Sequence, residues 1–297
     1  MSAVARTNIG VARSGAARWV LVPSILLVLT SFYLGLLWTG CISFTRSSIV
    51  PNFTFAGWYQ YERLFTNARW LTAYQNMFIF GTLFIGGALV LGTVLAIAID
   101  QRIKAEALFR TVFLYPLSIS FIITGLAWQW ILNPSFGIQG VVRGWGWEGF
   151  TFDWIAQPDY AIYTLVLAAL WHSSGLVMAI MLAGLRGIDE DIWRAARMEG
   201  IPRWRTYLSI ILPMLRPMVL TCVVLLSASV IKSYDLVVAL TAGGPGYSSD
   251  LPAKFVVDLT FERTNLGMAS AGAIVMLVTL TAALAPYFYI EMRKRAS

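Results

Sequence analysis

Six long apolar stretches constrain this chain more than any other feature of its sequence. They cover about residues 19–44, 77–99, 109–132, 161–182, 217–240 and 269–290. A helix needs about 20 mostly apolar residues to cross the hydrocarbon of a bilayer, because every backbone polar group must be satisfied within the segment. Only 12% of the 297 residues are charged, well below the share in a typical soluble domain. The sequence therefore predicts an all-α polytopic membrane protein with six transmembrane helices.

Lysine and arginine are distributed unequally between the alternate loops of this arrangement. One set of loops carries 15 of them and the other carries 6, with Lys232 left inside the fifth stretch. The 15 are Arg6, Arg13, Arg18, Arg102, Lys104, Arg110, Arg186, Arg194, Arg197, Arg203, Arg205, Arg216, Arg293, Lys294 and Arg295. Because cytoplasmic loops carry the excess of positive charge, we expect both termini in the cytoplasm. The net charge of +7 then reflects topology and requires no nucleic-acid partner.

No soluble domain, repeat or low-complexity run interrupts the six stretches, so we expect one transmembrane domain over residues 1–297. Three arginines precede the first stretch, as in a secretory signal, but the stretch is too long for a signal core and we expect it to be retained. Cys41 and Cys222 lie in apolar surroundings, and His172 is the single histidine. These residues show no metal-ligand spacing, so no metal site is expected.

The loop between the fourth and fifth stretches, residues 189–213, is highly charged and still favours helix. Three acidic residues at its start suit a helix N-terminus. Gly200 suits a C-terminal position with positive φ, Pro202 suits the first turn of a second helix, and Pro213 ends or kinks that helix. The sequence predicts two short helices joined at Gly200. On this chemistry alone, a passive elbow at the membrane surface fits as well.

The spacing of residues in this loop resembles that of a known family. Ala195-Ala196, then Gly200, then Ile210 and Leu212-Pro213 match the cytoplasmic signature of bacterial ATP-binding-cassette importer permeases, in which Glu-Ala-Ala is followed by Gly and then Ile-x-Leu-Pro. The sequence departs from that pattern at Arg194, where the family has Glu, and at Glu199, where it has Asp.

The resemblance implies that residues 189–213 form a coupling helix-turn-helix that docks into a groove on a separate ATPase subunit. The positions it assigns to this contact are Arg194, Ala195, Ala196, Glu199, Gly200, Ile201 and Pro202. It also implies the type I importer permease architecture, a multi-pass location in the bacterial inner membrane, and three kinds of partner: a second permease subunit, two cassette ATPase subunits and an extracytoplasmic sugar-binding protein. ATP and Mg would bind to the ATPase partners, and no cofactor to this chain.

The segment after the fifth stretch is similar to the carbohydrate branch of these permeases. Residues 241–247, Thr-Ala-Gly-Gly-Pro-Gly-Tyr, look like that branch's Thr-Gly-Gly-Gly-Pro segment, and residues 231–236 look like its polar-aromatic stretch. The runs 243–253 and 267–271 resemble glucose/mannose-type permeases in particular. Permeases for disaccharides and glucosides share much of these runs, so a disaccharide or glucoside importer is the alternative.

Polar residues inside the fifth stretch offer candidates for a substrate path. Lys232 and Asp235 are three residues apart, so on one helix they would share a face and neutralise each other. Lys232 by itself fits a side chain that extends to the membrane surface equally well. The functional interpretation is a sugar site lined by Ser229, Lys232, Ser233, Tyr234 and Asp235, because a carboxylate and an aromatic face suit a sugar.

The fourth stretch contains a second polar group, Trp171, His172 and Ser173. A neutral His172 hydrogen-bonded between helices is the commoner arrangement, and a sugar contact is the alternative. Most glycines within the spans, such as Gly86, Gly87 and Gly92, are expected to be sites of close helix packing.

Two rival classes stay open on the residues alone. The sequence has no Gly-x-x-x-x-Gly-Lys-Ser/Thr phosphate loop, so we do not expect this chain to hydrolyse ATP. An integral membrane enzyme would need a catalytic set, and neither His-Glu-x-x-His nor Gly-x-Ser-x-Gly occurs. A proton-coupled secondary transporter is the other rival, since Lys232 and Asp235 offer a proton-transfer pair.

Overall fold

The computed structural model describes residues 15–48, 50–101 and 103–296, and within these ranges the chain is helical, with a single antiparallel bridge between Thr45 and Phe55. The α-helices are α1 (Gly15–Leu29), α2 (Gly35–Ser43), α3 (Tyr59–Phe65), α4 (Ala68–Asp100), α5 (Glu106–Leu114), α6 (Phe121–Ile131), α7 (Ile138–Gly144), α8 (Ala161–Arg186), α9 (Glu190–Met198), α10 (Arg203–Thr206), α11 (Leu212–Met214), α12 (Arg216–Ile231), α13 (Tyr234–Leu240), α14 (Pro252–Phe261) and α15 (Leu266–Ala296). Short π-helical segments cover Thr30–Leu34 and Tyr207–Ile211, and 3-10 segments cover Tyr115–Ser118 and Trp154–Ala156.

Four helical stretches are long and apolar enough to cross a bilayer by themselves: Leu21–Ser43, Ala68–Asp100, Ala161–Arg186 and Leu266–Ala285. Two bent helix pairs, Glu106–Ser118 with Phe121–Ile131 and Arg203–Met214 with Arg216–Ile231, also qualify if each is counted as one span, which gives up to six spans in the described part of the chain. The second span starts earlier than the predicted residue 77, because the Asn67 side chain accepts a hydrogen bond from the Trp70 N–H at 3.1 Å and caps α4 at Ala68. Of the 15 lysine and arginine residues assigned to the cytoplasmic loops, those at positions 6, 13 and 102 lie outside the described residues.

The predicted third span, 109–132, is not one helix. Helices α5 and α6 meet at an angle of 102°. Pro116 lies in the 3-10 turn between them, and its ring and missing N–H disfavour a continuous α-helix. Ser120 is extended, and its hydroxyl accepts the Ile123 N–H at 3.4 Å, so it starts α6 in a new direction.

The predicted fifth span, 217–240, is also broken. Helix α12 ends at Ile231, and the backbone at Lys232 and Ser233 separates it from α13. The Ser233 hydroxyl donates to the Ser229 carbonyl at 2.7 Å and satisfies one of the last carbonyls of α12. Lys232 and Asp235 therefore do not lie on one helix, and the prediction that they share a helical face is wrong.

Helices α4 and α8 form the centre of the main apolar core. Among its fully buried side chains are Phe80 and Phe84 from α4 and Leu165 and Met178 from α8. A second apolar cluster joins α4 to α14 and α15, where the Trp70 and Phe255 ring centroids lie 5.2 Å apart. The long helix α4 thus belongs to both clusters and organises the bundle.

Two glycines of α4 differ in their surroundings. A Cβ atom at Gly92 would lie 2.5 Å from the Val177 Cβ and 2.9 Å from the Met178 backbone nitrogen on α8. A Cβ at Gly86 would meet nothing within 4 Å. The sequence-based expectation of close packing thus holds for Gly92 and is wrong for Gly86.

We expect Gly92→Ala to lower the stability of the protein by about 1–3 kcal/mol, because the methyl group forces α4 and α8 apart. The measurement is the apparent melting temperature of the purified protein in detergent. Gly86→Ala is the matched control on the same helix and should melt at or above the wild-type temperature, since alanine favours helix over glycine. Equal melting temperatures for the two variants would contradict the close approach at Gly92.

Candidate functional site

The coupling loop, residues 189–213, begins with a helix that is capped at both ends. The Asp189 carboxylate accepts the Asp191 N–H at 3.0 Å at the start of α9. At its end, the Ile201 N–H donates to the Ala196 carbonyl at 3.0 Å and the Gly200 N–H to the Arg197 carbonyl at 3.1 Å. This pair of bonds is a Schellman closure, and it requires the left-handed conformation that Gly200 adopts, with φ of +70°.

Beyond the turn, Pro202 is extended and starts α10. The turn between the two helices points away from the body of the protein. A Cβ at Gly200 would meet nothing within 4 Å, and neighbouring Met198 is 88% exposed. The other assigned positions divide between two sides of the loop. Ala196 is buried and Ile201 half-buried, whereas Arg194, Ala195, Glu199 and Pro202 are exposed. An exposed methionine beside a small residue suits a contact surface, because its flexible side chain adapts to a partner. The sequence alone had assigned Met198 only to the helix body.

Arg194 is paired within its own helix. Its guanidinium donates to Glu190 at 2.9 Å and to Asp191 at 3.0 Å, and all three side chains are exposed. Exposed pairs of this kind contribute little to stability. The two ion pairs balance the positive charge of Arg194, which occupies the position where the importer permease signature has a glutamate.

The polar side chains around the break between α12 and α13 differ in whether they are free to bind a ligand. The Ser229 hydroxyl donates to the Leu225 carbonyl at 3.2 Å, and Ser233 is occupied by its own backbone bond. Lys232 and Asp235 are exposed, Tyr234 is half-buried, and no ion pair joins Lys232 to Asp235 among the described residues. Three of the five predicted side chains therefore have free polar groups.

The second polar group is mostly internal. His172 and Ser173 are buried, and the His172 Nδ1 lies 3.2 Å from the Thr124 hydroxyl on α6. The Phe121 ring centroid is 4.1 Å from that of His172. Trp171 is exposed and meets Trp128 edge-on, with ring centroids 6.2 Å apart. His172 thus joins α8 to α6, which is the commoner arrangement weighed from the sequence.

Helix α6 lies between the two candidate groups. A Cβ at Gly125 of α6 would lie 2.6 Å from the Ala239 Cβ of α13, so these helices are in close contact. The structure therefore places α13, with Tyr234 and Asp235, against the helix that His172 contacts. Among the described residues, no hydrogen bond links the two candidate groups directly.

An apolar groove of about 390 Å³ lies among α4, α12 and α15. Its polar lining consists of the hydroxyls of Thr82, Ser227 and Thr279, and none of the predicted substrate-path residues contributes to it. A sugar needs several directed hydrogen-bonding groups. The groove therefore offers few hydrogen-bonding partners to a sugar.

Sequence reasoning missed a buried ionic cluster at the start of α4, the Arg69 cluster, formed by Arg69, Asp250, Lys254 and Asp258. The Arg69 Nε lies 2.6 Å from Asp250 Oδ2, a second guanidinium nitrogen bonds Asp258, and the Lys254 Nζ lies 2.6 Å from Asp258 Oδ2. The Tyr247 ring centroid is 4.7 Å from the guanidinium carbon. Two positive and two negative charges thus balance each other in a buried site.

The cluster fastens the segment after α13 to α4. About two helical turns beyond Arg69, the Asn76 side-chain amide donates to the Ser248 carbonyl at 2.8 Å and to the Asp250 carbonyl at 3.0 Å. The segment carries two residues with positive φ in a row, Ala242 and Gly243. The i,i+4 spacing of Lys254 and Asp258 was the only local sign of the cluster in the sequence.

The two carboxyl groups of the cluster respond differently to their surroundings. Burial raises the pKa of Asp250, and the Arg69 guanidinium offsets this only in part. Burial alone would also raise the pKa of Asp258, but hydrogen bonds from Arg69 and Lys254 outweigh it and hold that pKa below its ordinary value. Asp258 is therefore the carboxylate that Arg69 and Lys254 hold ionised.

Comparisons with known proteins agree with this architecture. Residues 88–296 match the family described as "binding-protein-dependent transport system inner membrane component". The chain is 32% identical over 271 residues to a probable ABC transporter permease protein of Pyrococcus horikoshii, PH1215, covering 91% of this chain and 93% of that protein. It is 30% identical over 277 residues to the xylose/arabinose import permease protein XacH of Haloferax volcanii, with coverage of 92% and 86%. It is 25% identical over 263 residues to the trehalose/maltose transport system permease protein MalF of Thermococcus litoralis, with coverage of 88% and 87%.

Solved structures show the same fold. A bacterial ABC transporter involved in the import of the acidic polysaccharide alginate contains a chain that aligns with a TM-score of 0.82 at 18% identity, over 94% of this chain and 95% of that one. The alginate transporter in complex with an alginate pentasaccharide-bound periplasmic protein aligns with a TM-score of 0.77 at 19% identity, over 90% and 92%. The overall helical fold is therefore shared with these importer chains.

Replacing Arg69 by methionine should destabilise the protein by about 3–5 kcal/mol, because it leaves two buried carboxylates with one lysine. The measurement is again the melting temperature in detergent. Arg63→Met, which removes an exposed arginine from α3, is the control and should melt like the wild type. Adding Asp250→Asn to Arg69→Met leaves the neutral Lys254–Asp258 pair and should recover part of the loss. A double variant no more stable than Arg69→Met would argue against charge balance as the cause.

Proposed function

The chain belongs to the family of binding-protein-dependent transport system inner membrane components, and we propose that it forms half of the translocation pore of an ATP-driven sugar importer. The observation that carries this proposal is the Gly200 turn of the coupling loop. A capped helix pair with an exposed, unobstructed turn is suited to a docking contact with another protein. A passive membrane elbow would leave Gly200 equally open, and the match of residues 88–296 to a binding-protein-dependent transport family favours the docking contact over it.

The names of related permeases and the resemblance of this sequence to the carbohydrate branch both support a sugar as the substrate. XacH and the Thermococcus MalF are named for xylose/arabinose and trehalose/maltose transport, and a relative in Agrobacterium fabrum is named for sulfoquinovosyl glycerol. All three names denote sugars or glycosides. Within this class we favour glucose or mannose, on the resemblance of residues 243–253, with a disaccharide or glucoside as the alternative.

The mechanism requires partners that supply the energy and the substrate. A second permease subunit completes the pore, two cassette ATPases bind ATP and Mg, and an extracytoplasmic binding protein delivers the sugar. In this scheme the multi-pass chain lies in a bacterial inner membrane with both termini in the cytoplasm, by the positive-inside rule. ATP-driven closure of the ATPases moves the coupling loops, and the pore opens outward to accept the sugar.

The break between α12 and α13 is our candidate for the substrate path. Discontinuous helices in transporters place free backbone groups and side chains where substrates bind. Here the exposed Asp235 and the half-buried Tyr234 begin α13 directly after the break. A carboxylate accepts hydrogen bonds from sugar hydroxyls, and a phenol ring supports a sugar face. Trp171, His172 and Ser173 would then act mainly by positioning α6 behind α13.

The rival functions lose their main support in this geometry. A proton-transfer pair of Lys232 and Asp235 would require the two side chains to meet, and they stand on either side of a helix break without an ion pair. The helix break between Lys232 and Asp235 also argues against this pair as the catalytic residues of a membrane enzyme. Neither rival assigns a role to the exposed Gly200 turn.

The test of the proposal is the ATPase activity of the complex in lipid nanodiscs. The permease is co-expressed with its neighbouring transporter genes, and the binding protein is loaded in turn with glucose, mannose, maltose or trehalose. Stimulation by a loaded binding protein supports the importer mechanism, and stimulation by the monosaccharides alone supports the narrower substrate. Failure of the permease to retain any cassette ATPase would contradict the proposal.

Gly200→Val should weaken the coupling contact, because a left-handed conformation costs a residue with a side chain about 1–2 kcal/mol and a β-branched one more. We expect less co-purified ATPase. Sugar uptake should fall by about fivefold or more, which is the change in an equilibrium constant that this free energy produces. Gly200→Asn is the matched control, since asparagine tolerates positive φ and should stay close to the wild type. Equal losses in the two variants would show that space, and not backbone conformation, matters at this turn.

Asp235→Asn should reduce sugar uptake at low sugar concentration by about tenfold or more, since a hydrogen bond to a charged group contributes about 1.5–3 kcal/mol. Basal ATPase activity should not change, because α12, whose 16 residues extend over about 24 Å, separates Asp235 from the coupling loop. Asp159→Asn, at an exposed position before α8, serves as the control. Uptake kinetics identical to the wild type would remove Asp235 from the substrate path.

A further inference from the structure

Tyr207 joins the two helices of the coupling loop to each other. Its ring centroid lies 5.2 Å from that of Trp193, at an interplanar angle of 66°. Trp193 belongs to α9, and Tyr207 begins the π-helical segment after α10, so this edge-to-face contact bridges the two sides of the Gly200 turn. Both side chains are half-buried and pack against the main apolar core.

The hydroxyl of Tyr207 also reaches α4. The Gln101 Nε2 donates to it at 2.9 Å, and Gln101 directly follows the last residue of α4. Helix α4 has 33 residues and is therefore about 50 Å long, and Arg69 stands at its opposite end. Trp193, Tyr207 and Gln101 thus connect the coupling loop to the helix that carries the Arg69 cluster.

The backbone at Tyr207 has an unusual register. π-helical turns are rare and occur often at functional sites. Here the segment Tyr207–Ile211 lies just before Pro213, which has no N–H to donate to the Ser209 carbonyl in an α-helical bond. A π-helical turn differs from an α-helical one by a single residue, so the segment has two closely related arrangements. Such an element can change register when the helix before it moves.

We propose that Tyr207 is a positioning residue that transmits the movement of the docked coupling loop to α4. It receives the displacement through its ring contact with Trp193 and passes it on through its hydrogen bond to Gln101. This inference rests on the proposed importer function. The contact is partly exposed and joins only the Tyr207 hydroxyl to Gln101 and to Asp100, the last residue of α4, so its removal leaves the fold intact while it uncouples the two elements.

The experiment uses the complete complex in nanodiscs, with the co-purified cassette ATPase and the binding protein loaded with glucose. Tyr207→Phe removes only the hydroxyl and keeps the ring contact with Trp193. We expect the amount of bound ATPase and the basal rate of ATP hydrolysis to match the wild type. Stimulation of hydrolysis by the binding protein, and the sugar transported per ATP, should each fall by about threefold to tenfold, which corresponds to the loss of one hydrogen bond. Gln101→Ala removes one of the two α4 groups that meet this hydroxyl, so its loss should be no larger than that of Tyr207→Phe, and the double variant should be no worse than Tyr207→Phe alone.

Two controls separate transmission from general damage. Tyr289→Phe changes an exposed tyrosine on α15, and Glu106→Gln breaks the 2.7 Å ion pair with Arg186 that ties α5 to α8 without touching the coupling loop. Both should retain stimulation. The inference is overturned if Tyr207→Phe retains full stimulation, if it loses bound ATPase instead, or if the losses from Tyr207→Phe and Gln101→Ala add up. If the wild-type complex itself binds no ATPase, the importer function fails and the inference fails with it.

Discussion

Every backbone N–H and C=O group inside a bilayer must find a partner within the protein, and the rest of this fold depends on that constraint. It restricts the spans to helices and limits where they can break. At the start of α6 the Ser120 hydroxyl accepts a backbone N–H, and at the end of α12 the Ser233 hydroxyl donates to a carbonyl. A short hydroxyl side chain thus satisfies one of the backbone groups that each break would leave free. The breaks are therefore ordered features that redirect the chain, and one of them carries the candidate substrate path.

Helix α4 connects the two ends of the molecule. Its first turn holds the Arg69 cluster, in which two acids and two bases balance inside the protein, and its last residue precedes the Gln101 contact to the coupling loop. Between these ends, the close approach at Gly92 locks α4 against α8. A helix packed so tightly shifts as a unit, because interiors at this density deform little. This arrangement gives a physical route between the loop at residues 189–213 and the segment that follows α13.

The coupling loop was the part of the site that sequence reasoning predicted best. Its acidic start, Gly200 and Pro202 each act on their own few residues, and the structure has the corresponding cap, positive φ and helix start. The pairing of Lys232 with Asp235 was predicted wrongly because no proline or glycine marks the break between them. That break depends on the Ser233 hydrogen bond and on the close packing of α13 against Gly125 of α6.

The sequence by itself determined that the chain crosses a membrane, roughly where its apolar stretches lie, and how the Gly200 turn closes. Hydropathy, charge asymmetry and helix capping act over a few to a few tens of residues, so they can be recognised without the fold. Only the tertiary structure decided that Arg69 meets Asp250 and Asp258, 181 and 189 residues away, and that Tyr207 meets Gln101, 106 residues away. Such pairs form because particular helices pack side by side, and no local periodicity along the chain specifies which helices those are.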